Sequence, residues 1–153
     1  MGLFNKLRKA SATADTSQQT NVARAVLTPA VSTMISDGDV NEAEKLQLIN
    51  VCSFSPIFFE LDGPSFSKMI GSIIDEISAN GHEAAIQKAA QGLSPKLRET
   101  AMCFALRIAL ADGVIEDGEK ASLSQTGQHM GISPEMFGVM LEVIAMMQRP
   151  PTA

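Results

Sequence analysis

The stretch MISDGDVNEAEK, residues 34–45, returns 75 positions later as ALADGVIEDGEK, residues 109–120. In each, an apolar run ends in Asp-Gly, an aliphatic residue follows two places on, and Glu-Lys closes the stretch. Asp37 matches Asp112, Gly38 matches Gly113, Val40 matches Ile115, Glu44 matches Glu119 and Lys45 matches Lys120. Gly after an apolar helical run supplies the backbone freedom that ends a helix, and acids behind it suit the first turn of the next. The doubled stretch therefore reads as two helix–corner–helix hairpins.

Around the first corner, Ala23, Val26, Leu27, Ala30, Val31 and Met34 recur at spacings of three and four, one face of a helix. Pro29 falls inside that run, so the helix either kinks there or restarts with Thr28 as its cap. Beyond the corner, a helix from Asn41 to near Cys52 carries Leu46 and Ile49 inward, with Leu48 as a further candidate. Ser55-Pro56 and Gly63-Pro64-Ser65 are breaks. The second opens a helix bearing Phe66, Met69, Ile70, Ile73, Ile74 and Ile77, which Asn80-Gly81 stops. A short helix over roughly 83–91 leads to Gly92.

The second half repeats the order. Ser94 caps and Pro95 opens a helix presenting Met102, Ala105, Leu106 and Ala109, which ends at Asp112-Gly113. A helix over about 117–130 stops at Gly131. Ser133-Pro134 opens the last, with Met136, Phe137, Met140, Leu141, Ile144 and Met147 inward, before Pro150-Pro151. Helix, Asp-Gly corner, helix, Ser-Pro and Phe occur at 23–59 and again at 98–137. Hairpins of this kind pack antiparallel with a pseudo-twofold relation, which would bring the corners close.

The rest of the chain agrees with an all-α single-domain bundle of about seven helices built from two related hairpins. Its 153 residues are 45% hydrophobic, dominated by Ala, Leu, Ile, Val and nine Met, with no Trp or Tyr, a palette for packed helices rather than sheet. The folded domain spans 21–149. Residues 1–20 form a mobile basic and polar segment, in which Lys6, Arg8 and Lys9 accompany a Leu3, Phe4, Leu7 stripe. Residues 1–9 suit weak contact with an anionic membrane.

A formal net charge of −5 argues against nucleic acid as a partner. Cys52 and Cys103 lack the spacing of a disulfide framework or zinc knuckle and read as buried thiols, suiting a reducing compartment and a cytoplasmic location. No apolar run approaches the roughly 20 residues of a membrane span, and none near the start has the form of a signal peptide. His82 and His129 stand isolated in sequence, and no catalytic constellation or phosphate loop is present, so an enzyme is not expected.

Two readings fit the corners. As helix punctuation, Gly38 and Gly113 end helices, and Asn41 with Glu44 forms a capping box. Glu116 replaces Asn41 in the second copy as a poorer cap. As a cation site, the corners gather Asp37, Asp39, Glu42, Glu44, Asp112, Glu116, Asp117 and Glu119, eight of 17 acids in sixteen positions. Carboxylates so crowded repel unless a cation intervenes, and oxygen ligands suit Ca²⁺ or Mg²⁺. These are not EF-hands, because Glu42 and Leu48 stand where the loop Gly and the bidentate Glu belong.

The stretch ALRIALADGVIEDGEKASLSQTGQHMGISPEMF, 105–137, with its less perfect copy at 34–45 and the opening MGLFNKLRK, resembles the tellurite-resistance TerB family. The resemblance covers the whole chain. It implies an all-helical domain in a cytoplasmic bacterial protein linked to tellurite and other stress resistance, acting with protein partners associated with the inner membrane. It also implies a divalent cation at the corners, held by Asp37, Glu44, Asp112 and Glu119 with Asp39, Asn41 and Glu116 nearby. Gly118 departs from the pattern in the second copy. The expected function is a non-enzymatic stress-response module presenting an acidic, cation-loaded face. The alternative is a peripheral membrane adaptor docking through its N-terminus, with the corners only as caps.

Overall fold

The computed structural model describes the backbone of residues 2–36, 38, 42–111 and 115–153, and the side chains of that set other than those of residues 2–16, 43 and 44. Among the described residues there are seven α-helices and no strand: α1 (Gly2–Ile35), α2 (Glu42–Cys52), α3 (Gly63–Asn80), α4 (His82–Gln91), α5 (Pro95–Ala109), α6 (Asp117–His129) and α7 (Pro134–Met147), with a 3₁₀ turn at Pro56–Phe58. The expected all-α bundle is the observed one.

The bundle is organised around α1. Val26, Leu27, Ala30 and Val31 are wholly buried, and the helix lies against α5 along its most extensive interface, with α4 and α3 on either side. α2 packs on α3 and α5, α6 on α4, and α7 on α5 and α6. Helix α1 runs uninterrupted through Pro29, which is itself buried. Pro29 has no N–H to give the carbonyl four residues back. Hydroxyls on either side of it bond other carbonyls of the helix: Thr28 Oγ1 donates to the Arg24 carbonyl and Thr33 Oγ1 to the Pro29 carbonyl, both at 2.8 Å. Thr28 is thus not the cap of a fresh helix. The α1 backbone is helical from Gly2, continuous with the buried stretch.

Most helix ends follow from local chemistry. Ser94 and Ser133 accept from the N–H groups of Leu97 and Met136, with Pro95 and Pro134 at the first helical position. Asp62, one residue ahead of the expected start, caps α3 by accepting from Ser65 N at 2.7 Å, a bond that holds its carboxyl below the usual range. Gly81 and Gly131 carry positive φ, 88° and 71°, where the chain leaves α3 and α6. Gly131→Ala would force a Cβ into a left-handed backbone and to 3.3 Å from the Arg98 guanidinium. A loss of about 1 kcal/mol is expected, read by chemical denaturation against Gly138→Ala, where a Cβ meets nothing.

Side-chain register differs from the sequence reading in three places. On α2 Leu48 is fully buried and Leu46 is 58% exposed, because α2 turns the 48/52 edge toward α3 and α5. On α7 Met140 and Ile144 enter the core, while Met136 and Met147 stay on the surface beside Val139, Val143 and Met146. In the first Ser-Pro-x-x-Phe copy, Phe58 is buried and Phe59 faces solvent. The reason is the tighter winding there. Ser55-Pro56 opens a 3₁₀ turn, whereas Ser133-Pro134 opens an α-helix, so residues at equal offsets point differently. Phe58 makes edge-on contacts with Phe66 at 5.3 Å and Phe104 at 5.7 Å, joining α3 to α5. Phe137 covers Gly127, within 3.1 Å of where a Cβ would stand.

Candidate functional site

The two corners end α1 and α5, and α1 packs along α5. At that end of the bundle lies a cavity of about 610 Å³ whose walls come from five helices and their ends. Ser36, just after α1, and Ala111, just after α5, both line it, as does Glu119 in the first turn of α6. The flanks of both corners therefore share one cavity.

Of the cation ligands expected from sequence, Asp37, Asp39, Asn41 and Asp112 lie outside the described residues, as does the side chain of Glu44. Glu116 and Glu119 are described, and they cap α6. Glu116 is the N-cap residue, with extended backbone (φ −72°, ψ 156°), and its N–H donates to Glu119 Oε2 at 3.3 Å. Glu119 thus satisfies a backbone donor that the helix leaves unpaired. Capping accounts for the second corner better than the poorer cap at Glu116 alone suggests, because the carboxylate three residues on reaches back. Glu42 pairs with Lys45 at 3.3 Å. Among the described residues no three His, Cys, Asp or Glu side chains gather as a metal site.

The histidines that stand isolated in sequence both line this cavity. His82 opens α4 and His129 closes α6, and both are on its wall. His82 Nδ1 is hydrogen-bonded to Ser32 Oγ at 2.7 Å, joining the start of α4 to the last turn of α1. His129 Nδ1 lies 3.4 Å from the Gln87 amide, which also donates to Glu83 Oε1 at 3.2 Å. His129 Nε2 and Glu83 Oε1 stand 4.0 Å apart, too far for a direct hydrogen bond. No spacing in the sequence joins residues 32, 82 and 129; only the packing of α4 between α1 and α6 does so.

The lining is mixed. Glu83 and Glu119 supply carboxylates, Thr126 and Ser122 hydroxyls, and Met34, Ile86, Ile108 and Leu123 an apolar wall. None of the described lining residues is Lys or Arg.

The two cysteines lie apart from this cavity. Cys52 is buried, and loss of hydration pushes its thiol up to about 12; Cys103 is half-buried and raised by burial first and by Glu99 second. Thiolate is the reactive form. At pH 8 iodoacetamide is expected to leave native Cys52 unmodified and to reach Cys103 slowly, with both alkylated at the rate of a free thiol in denaturant. Fast native labelling of Cys52 by mass spectrometry would contradict its placement.

No known protein family, no curated protein and no solved structure matches the chain. Among the described residues no helix is long and apolar enough to cross a membrane.

Proposed function

We propose that the chain is a non-enzymatic stress-response module of the tellurite-resistance TerB-like kind, whose working surface is the bundle end where the flanks of the Asp-Gly corners line the cavity. The observation that carries this reading is the placement of Ser36, Ala111 and Glu119 around one cavity of about 610 Å³, a size suited to a small ligand. A divalent cation held by the corner acids would offset their repulsion and hold both corners in one conformation for a protein partner. Asp37, Asp39, Asn41, Glu44 and Asp112 would supply the ligands. Glu119 and Glu116 are engaged in capping α6 and would stand at its edge.

A binding role fits the cavity better than a catalytic one. The Ser32–His82 pair is its nearest approach to a nucleophile and base. Ser32 is 5% exposed in the last turn of α1, which leaves its hydroxyl largely closed to a substrate's reacting carbon.

Calorimetry with calcium chloride and with magnesium chloride tests the cation. A saturable heat in the wild type that vanishes in Asp37→Asn/Asp112→Asn is expected; equal heats in both proteins, or none at millimolar metal, would remove it.

The membrane-adaptor reading keeps one supporting observation. The α1 backbone is helical from Gly2, so positions 3, 4 and 7 share a helix face flanked by Lys6, Arg8 and Lys9. Co-sedimentation with anionic vesicles, full chain against a chain starting at Ser11, separates the two. Equal binding ends the adaptor reading.

A further inference from the structure

We propose that the cavity between α1, α4, α5 and α6 binds a small aliphatic amine in its ammonium form. The inference rests on the binding-module reading and names a ligand class for the cavity beside the corners.

The sign of the ligand follows from the charges around it. Glu83 and Glu119 line the cavity, and none of the described lining residues is Lys or Arg to offset them. The helix ends add to this. Helices α4 and α6 begin at the cavity, and their positive ends offset only part of the charge of the first-turn acids Glu83, Asp117 and Glu119, while α6 also ends on this wall at His129. Helices α1 and α5 finish there with their negative ends. α1 has no basic residue in its last turn, and the one in α5, Arg107, is not on the cavity wall. The field left over favours a positive charge.

The size and lining favour an organic cation over a bare metal ion. A hydrated metal has no use for a wall of Met34, Ile86, Ile108 and Leu123, and among the described residues no three potential metal ligands converge. An alkyl chain covers that wall, and burying it contributes about 0.8 kcal/mol per CH₂ in full contact. An ammonium brings three donors, which the Glu83 carboxylate at the His129 end of the cavity can accept in part, the Glu119 carboxylate standing at the other end of α6. The Ser32–His82 bond and the Gln87–Glu83 bond hold the polar side of the cavity in place without a ligand.

Three molecules of one length test the assignment: 1,4-diaminobutane, 1,4-butanediol and succinate, each titrated into the full chain by calorimetry and amide NMR. The diamine is expected to bind saturably and to shift amides of residues 82–86 and 119–129, while the diol binds more weakly and succinate not at all. Glu83→Gln, at a largely exposed side chain, should weaken the diamine about tenfold in a protein whose retained fold is checked by its melting temperature. Glu135→Gln on α7 should not. Diol or succinate matching the diamine, or Glu83→Gln binding it as the wild type does, would overturn the assignment. A calcium response at the corners with no diamine response would also overturn it, leaving the module reading intact. Diamine binding without a calcium response supports the assignment and removes only the metal.

Discussion

Leu48→Ala is expected to destabilise the protein by about 2–5 kcal/mol, whereas Leu46→Ala, two residues away on the same helix, should change stability by no more than about 0.5 kcal/mol. Leu48 is wholly buried in the main core with Cys52, and removing its isobutyl group leaves a void that the surrounding helices can close only in part. Leu46 is 58% exposed and already surrounded by water over most of its surface. In a chain of this length each kcal/mol moves the melting temperature by roughly 2–4 °C, so thermal unfolding resolves the two variants clearly. Comparable losses at both positions would mean that α2 is rotated from the orientation described.

The second large effect lies on the outer face of α1. Glu76 of α3 accepts from Lys88 of α4 at 2.8 Å and pairs with the Arg24 guanidinium of α1, which also reaches Ser72 at 3.2 Å. Three helices are thus tied through one carboxylate whose side chain is 14% exposed. Glu76→Gln is expected to lose about 1–3 kcal/mol, mostly because Arg24, itself only 28% exposed, is left with an unanswered charge. Lys88→Ala should cost less, since that side chain is 74% exposed and screened by water.

The pH dependence follows from the same contacts. The Lys88 hydrogen bond and the Arg24 charge, outweighing partial burial, hold the Glu76 carboxyl below its ordinary value of 4.5. A group with a depressed folded pKa contributes its full stabilisation above the unfolded pKa and loses it as pH falls through the folded one. The stability gap between wild type and Glu76→Gln should therefore be full above about pH 5 and shrink as pH is lowered from 4.5. A gap that widens on acidification would reverse the assignment.

Much of the fold was legible because its punctuation is local. Ser94-Pro95 and Ser133-Pro134 start helices, and Gly81 and Gly131 end them, by backbone rules that need no neighbour. The stripe of α3 was legible too, since Phe66, Met69, Ile70, Ile73 and Ile77 face one core. Register on α2 and α7 was not, because apolar residues lie on more than one face of each helix and only the packing partners choose between them. Pro29 misled for a related reason. Proline reads as a break, yet burial of α1 on several sides keeps the helix continuous and hydroxyls at 28 and 33 serve the backbone around it.

At the candidate site, Glu119 was legible as a member of the repeat, and its capping bond follows from spacing. The convergence of Ser32, His82, Glu83 and His129 was not, since residues from three helices meet only after α4 is packed against α1 and α6. That polar wall, rather than the acids alone, is what gives the corner end of the bundle a shape for a ligand.

Amide chemical-shift mapping of the full chain during a calcium chloride titration tests the role of that bundle end most directly. Saturable shifts confined to the corners, residues 36–44 and 111–119, and to the adjoining cavity wall are the predicted result. Shifts scattered over the surface, or concentrated on the exposed face of α7 while the corners stay silent, would contradict it.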